Sequence, residues 1–203
     1  ISTTQAVRQV DSVPEIPAAV DSYSEKPIDP FLFLSVSGSM DITIERGDVY
    51  SMEIAADEGY ESYLKVSQTD RSLSIRHNTS GGLFKSIKYR KIHIKIKAVD
   101  IDRIEVSGVV DVAINGDFPG KEFFCKVSGA SEVEAGGKNE KIKLELSGVS
   151  RVSLKNIEVA MLETEITGAS RISVAGVSKQ VAVTASGAST FSGSGLQTDE
   201  ASL

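Results

Sequence analysis

Apolar and polar residues alternate over short stretches through most of this chain. In the second half one set of alternating apolar positions reads Phe123, Cys125 and Val127; Ile142, Leu144 and Leu146; Leu162 and Ile166; Val181, Val183 and Ala185. A second set reads Val112 and Ile114; Val133 and Ala135; Val152 and Leu154; Ile172 and Val174. Alternation over about four to six residues is the period-two signature of a half-buried strand. The two sets meet at a recurring Ser/Thr-Gly pair, and the segments align without gaps. They are Ser107-Gly108-Val109-Val110-Asp111, Ser128-Gly129-Ala130-Ser131-Glu132, Ser147-Gly148-Val149-Ser150-Arg151, Thr167-Gly168-Ala169-Ser170-Arg171 and Ser186-Gly187-Ala188-Ser189-Thr190. Their intervals are 21, 19, 20 and 19 residues.

Each unit therefore predicts two short strands around a Ser-Gly pivot, then a turn such as Asn115-Gly116-Asp117 or Gly136-Gly137-Lys138. No unit has room for a helix of ordinary length. A strand pair with one apolar face cannot bury that face alone, whereas stacked units can, with equivalent residues in columns about 4.8 Å apart. The expected fold is all-β, a solenoid with coils of about 20 residues. Glycines at the pivots (Gly38, Gly108, Gly129, Gly148, Gly168 and Gly187) tolerate a tightly bent backbone, and neighbouring hydroxyls satisfy the freed backbone groups. Ser131, Ser150, Ser170 and Ser189 would form a hydroxyl ladder. A leucine-rich repeat would need an L-x-x-L-x-L frame, and a propeller blades of about 40 residues; neither pattern is present.

The first half is β-rich but less regular. Strands are predicted over 31–36, 41–44, 50–55, 73–77, 91–97 and 101–106, with one short helix over 57–65. Ser37-Gly38-Ser39-Met40-Asp41 repeats the pivot 70 residues before Ser107, so residues 45–100 read as an excursion that caps the first coil. Residues 1–27, interrupted by Pro14, Pro17 and Pro27, read as a flexible tether. Within them Asp11-Ser12-Val13 fits a short bacterial O-glycosylation acceptor. The start at Ile1 is that expected of a mature chain whose targeting segment has been removed. Residues 28–106 form a β-rich section with the cap and 107–203 the repeats, as one continuous domain. The pattern fades from Ser192-Gly193-Ser194-Gly195 onward. The last coil edge is thus expected to be covered by residues 196–203 or by another subunit, making a homo-oligomer through that edge one expectation.

Composition narrows the function. In 203 residues, 22 Lys and Arg oppose 28 Asp and Glu, a net charge of −6, which lacks the basic footprint of a nucleic-acid binder. No apolar run approaches the roughly 18 residues of a membrane span. The single cysteine, Cys125, excludes an internal disulfide and a multi-thiolate zinc site, and two histidines with no tryptophan leave no His cluster. No cofactor or metal is expected.

The pattern Val36-Ser37-Gly38-Ser39-Met40-Asp41-Ile42-Thr43-Ile44-Glu45-Arg46-Gly47-Asp48, then Tyr50-Ser51-Met52-Glu53-Ile54, then the V-S-G-A-S units, resembles the bacterial head GIN domain of putative autotransporter adhesins over roughly residues 31–203. That resemblance implies right-handed parallel β-helix-like coils in a secreted or envelope-anchored protein, with no catalytic residues to carry over. The expected function is a non-enzymatic surface or secreted binding module, with a glycan, lipopolysaccharide or surface protein as partner.

Two constellations could carry chemistry. The column four positions after each pivot reads Asp111, Glu132, Arg151, Arg171, Thr190. Asp111 and Glu132 would lie about one coil apart, near the roughly 5 Å of a retaining glycosidase pair. A pectinase-like β-helix enzyme that cleaves polysaccharide is thus the alternative. The blander reading is a charge ladder in which Glu132 pairs with Arg151. The second constellation is basic: Lys85, Lys88, Arg90, Lys91, His93, Lys95 and Lys97, the last four alternating with Ile92, Ile94 and Ile96. One strand would then turn a cationic face outward to grip an anionic glycan or lipid headgroup, or simply guard a sheet edge. A lipid or amphiphile binder built on this strand is the third alternative. Cys125 sits on the apolar parity of its strand and reads as a core thiol. His77 and His93 fall on strand-like segments without a nucleophile motif, and Gly81-Gly82 reads as a loop.

Overall fold

The structure, a computed structural model, describes residues 23–56, 64–77 and 92–202. Among them every regular element is a strand. In chain order these are β1 (Tyr23–Pro27), β2 (Phe33–Arg46), β3 (Ser51–Ala55), β4 (Leu64–Thr69), β5 (Ser72–His77), β6 (Ile92–Ala98), β7 (Arg103–Asn115), β8 (Gly120–Val127), β9 (Glu132–Leu146), β10 (Arg151–Ile166), β11 (Arg171–Ala185) and β12 (Thr190–Ser202). All belong to one 12-stranded open sheet, in the order β1-β3-β6-β2-β7-β8-β9-β10-β11-β12, with β4 on β5 and β5 on β2.

From β7 onward successive strands pair in parallel. Arg151 lies opposite both Glu132 and Arg171, and Leu162 opposite both Ile142 and Val181, so residues one repeat apart are lateral neighbours. The connections between β9, β10, β11 and β12 are only residues 147–150, 167–170 and 186–189. β2 joins the same series across the excursion: it pairs with β7 from Phe33–Arg103 to Glu45–Asn115, setting Gly38 opposite Gly108. Its other edge carries β5 and β6, and β3 and β1 extend the sheet beyond β6 in antiparallel fashion.

The apolar parity of the sequence faces one continuous core. Leu34, Ile44, Ile75, Ile96, Ile104, Leu144, Leu162, Ile166 and Ile172 are all fully buried within it. Cys125 is part of this core, between Ile104 and Leu144 on the flanking strands. Burial pushes its thiol up to about 12, which leaves no reactive thiolate near neutral pH.

Several sequence expectations change. The Gly136-Gly137-Lys138 turn lies inside β9, which continues as one strand from Glu132 to Leu146 with a register shift against β10. The reason is the neighbour: a Cβ at Gly136 would clash with the Lys155 carbonyl oxygen, so glycine there permits close backbone approach, while Gly137, at a φ of 115°, bends the strand without ending it. The irregularity is a bulge on β10 at Asn156, which takes a φ of 54°. Tyr23–Pro27, expected within the tether, is an edge strand on β3. Leu64 and Lys65, expected at a helix end, begin β4 on β5. Residues 196–202 do not fold over the last edge but form it, as the end of β12. The rest of the tether with Asp11-Ser12-Val13, the remainder of the 57–65 helix, and Gly81-Gly82 lie outside the described residues.

The outward face carries cross-strand ion pairs. Lys126 Nζ lies 3.0 Å from Glu145 and Lys143 Nζ 3.4 Å from it; Lys141 Nζ lies 2.7 Å from Glu163. Hydrogen bonds from Lys126 and Lys141 hold Glu145 and Glu163, respectively, below the usual glutamate value of 4.5. A depressed folded-state value favours the native chain above the unfolded pKa, and the benefit is lost as pH falls through the folded value. The pairs are partly exposed, so the effect is small. Denaturant midpoints at pH 7 should exceed those at pH 3, and Glu145→Gln/Glu163→Gln should narrow the gap. An unchanged gap in that variant would remove these two carboxylates from the acid sensitivity.

Candidate binding groove

The pivots build a groove along the stack. Each pivot glycine has a positive φ, from 76° at Gly187 to 129° at Gly38, which turns the chain sharply and lifts the next residue outward. Those raised residues, Ala130, Val149, Ala169 and Ala188, make one wall. Val149 is 67% exposed despite being apolar. Ser131, Ser150 and Ser170 form the floor, and Asp111, Glu132, Arg151, Arg171 and Thr190 the opposite wall. The groove encloses about 280 Å³.

The floor is held by hydroxyls spent on the backbone. Ser150 and Ser189 donate Oγ–H to the carbonyl three residues back in their own pivot, Ser147 at 2.9 Å and Ser186 at 2.7 Å. Ser170 donates to the Gly148 carbonyl one pivot earlier at 3.3 Å, and Ser131 Oγ lies 3.2 Å from both the Gly108 and Ser128 carbonyls. The glycine carbonyls accept from the N–H of the residue after the next pivot glycine, as Gly129 O does from Val149 N–H at 2.8 Å. The expected column of hydroxyls is thus spent on backbone carbonyls.

The charged wall follows the column read from the sequence. Asp111 lies opposite Glu132 in register, Glu132 opposite Arg151, and Arg151 opposite Arg171. Arg151 Nη1 donates to Glu132 Oε2 at 3.2 Å, and the Glu132 side chain is half exposed. Glu132 is thus open to water and engaged by the Arg151 guanidinium, the charge-ladder pairing expected from the column.

The basic constellation is only partly within view. Lys85, Lys88, Arg90 and Lys91 lie outside the described residues. His93, Lys95 and Lys97 do project from β6 opposite the buried Ile92, Ile94 and Ile96. The β6 strand lies between β3 and β2, so its lysines guard no edge. Carboxylates of β2 face them: His93 Nδ1 is 3.4 Å from Asp41 Oδ2 and Lys95 Nζ 3.0 Å from Glu45 Oε2. His77, by contrast, packs on Gly38, and burial lowers its pKa. Among the described residues no group of three or more His, Cys, Asp or Glu is placed to hold a metal.

Two features escaped the sequence reading. The apolar wall was visible as the third residue of every pivot, but its role depends on the bend at the glycine before it. The other is a stack on the outward face, where the Arg103 guanidinium lies 4.4 Å from the Phe124 ring centre and 5.3 Å from that of Phe33, with Lys143 5.9 Å from Phe124. Phe33, Arg103, Phe124 and Lys143 are lateral neighbours.

A family model described as "Putative auto-transporter adhesin, head GIN domain" matches residues 30–203. Among solved structures, the chain is similar to a putative adhesin from Parabacteroides distasonis (TM-score 0.79, 21% identity, covering 89% of this chain and 76% of that one). It is also similar to a putative adhesin from Parabacteroides merdae (TM-score 0.78, 21% identity, 89% and 75%). A third similar structure is a putative lipid binding protein from Parabacteroides distasonis (TM-score 0.75, 18% identity, 89% and 76%). At these identities the likeness is one of fold. No curated protein matches the sequence.

Proposed function

Because the chain belongs to the putative auto-transporter adhesin, head GIN domain family, we propose that it is a non-enzymatic binding module of the bacterial surface or envelope. In this reading its strands are wound as a right-handed parallel β-helix-like solenoid, and its ligand is an extended envelope polymer, a glycan before others. The winding is supported by chain length. The 15 residues of β9 would span about 50 Å if straight, and the four residues before β10 cannot return that distance. A coil that bends at the pivot and at the bulge, closing every 20 residues or so, meets both conditions. The right hand is the one parallel crossovers adopt.

One observation carries the binding reading: the groove repeats the same wall, floor and wall over successive coils. Coil spacing of about 4.8 Å is on the scale of one sugar unit. The apolar wall suits the C–H faces of sugar rings and the charged wall their hydroxyls. An open, repeated track favours many small contacts over one deep pocket. A lipid reading has the name of the third Parabacteroides structure behind it, yet this groove is open and its walls carry charge.

The test is a binding screen of the whole chain against neutral and acidic glycans and lipopolysaccharide, with reducing ends assayed in the same wells. Val149→Asp should weaken glycan binding by about tenfold, whereas Lys95→Glu should leave it unchanged, and no reducing ends should appear. Binding lost in Lys95→Glu but kept in Val149→Asp would move the site to β6. Reducing ends that vanish with Asp111→Asn would replace the module by an enzyme.

A further inference from the structure

The groove is not uniform along its length. Its charged wall begins with two carboxylates, Asp111 and Glu132, and ends with two guanidinium groups, Arg151 and Arg171. Arg151 is tied to Glu132 at 3.2 Å. Arg171 has no carboxylate partner among the described residues; its lateral neighbours are Arg151 and Thr190. Of the three arginines on β7 to β11, Arg103 is paired with Glu105 at 2.5 Å and Arg151 with Glu132, so Arg171 departs from the pattern. Two like charges directly across a ladder destabilise each other. The same arrangement gives an incoming anion a planar fork of N–H donors and a second positive charge beside it.

We propose that Arg171, with Arg151 and Thr190 beside it, forms a subsite for the anionic group of an acidic sugar chain, while Ala169 and Ala188 on the opposite wall receive the ring. The subsite rests on the groove reading above and names its ligand class. The anion is a uronate carboxylate or a sugar phosphate, since either accepts the guanidinium fork. The acidic end of the groove gives the bound chain a direction: anionic units settle toward Arg171, and neutral units lie beside Asp111 and Glu132. Arg171 is exposed and its removal opens no core, so its variants report on binding and not on folding.

Two matched pairs of polymers test this by titration with the whole chain: polygalacturonate against its fully methyl-esterified form, and phosphorylated against unphosphorylated mannan. At least one charged member should bind more tightly than its neutral twin, with a preference that shrinks as salt rises. Arg171→Gln should weaken that charged member by about tenfold and the neutral twin by clearly less, so that the preference between the two is lost. Arg171→Lys should retain part of the preference. Preference for polygalacturonate alone identifies a carboxylate site, and for the phosphorylated mannan alone a phosphate site. Equal binding within both pairs, or a preference that survives Arg171→Gln, overturns the subsite and leaves the groove standing. Failure of all four polymers to bind removes the groove reading and the subsite together.

Discussion

Replacing Gly148 with alanine should lower the stability of the chain by about 2–5 kcal/mol, the sum of two separate costs. The first is conformational. Gly148 has a φ of 79°, where a Cβ crowds the backbone, at roughly 1–2 kcal/mol. The second is steric and comes from the preceding repeat. A Cβ at Gly148 would lie 2.6 Å from the Gly129 carbonyl oxygen and 3.0 Å from its nitrogen. That carbonyl already accepts from Val149 N–H at 2.8 Å, so it cannot retreat without breaking the bond that holds the pivot. The same relation links Gly108 to Gly38, Gly129 to Gly108, Gly168 to Gly148 and Gly187 to Gly168. Gly120→Ala is the matched control: its nearest atom is the Asn139 side-chain oxygen, 3.5 Å from the new Cβ. It should change stability by less than about 1 kcal/mol. Urea denaturation of the two variants beside the parent checks the claim, and equal midpoints for Gly148→Ala and Gly120→Ala would sink it.

The same glycine column explains what the sequence made legible. In a parallel ladder, lateral neighbours are equivalent residues of successive repeats, so a constraint on one is a constraint on all, and it surfaces as a column of identical letters. The Ser-Gly pivots and the inward valines, leucines and isoleucines are readable for this reason, and the Asp111-to-Thr190 column, whose letters differ, only through its fixed offset from the pivots. Features that depend on an unequal neighbour are not. Gly136 resembles a turn residue until the Lys155 carbonyl is placed against it. β12 carries little apolar alternation because only β11 flanks it, and its pairing rests on backbone hydrogen bonds that any residue supplies. β4 has only half-buried apolar positions, Leu64 and Val66, and its existence is decided by pairing with β5. At the candidate site, the outward projection of His93, Lys95 and Lys97 follows from alternation alone. The carboxylates that face His93 and Lys95 follow from the register of β2 against β6, which sets Asp41 opposite His93 and brings Glu45 within 3.0 Å of Lys95.

A second large loss is expected from Leu162→Ala, about 2–5 kcal/mol by the usual cost of a leucine-sized void. Leu162 is fully buried, with Ile142 on one flanking strand and Val181 on the other. Because β10 pairs only with β9 and β11, a void at this point weakens two strand interfaces at once. Val183, by contrast, is 9% exposed on the penultimate strand, and its inner neighbour is Thr164. Val183→Ala should therefore cost clearly less than Leu162→Ala, beyond what the one smaller side chain explains, because the strand beyond it, β12, is the last of the sheet. The unfolding curves should also differ in shape. A central void divides the stack into a longer amino-terminal part and a short carboxyl-terminal one, and the transition should broaden as two-state behaviour fails. A void near the end leaves the remaining stack intact and the transition steep. If both variants shift the midpoint equally and keep the parental slope, stability is shared by the whole sheet, and the strand-to-strand account of how it is held together is wrong.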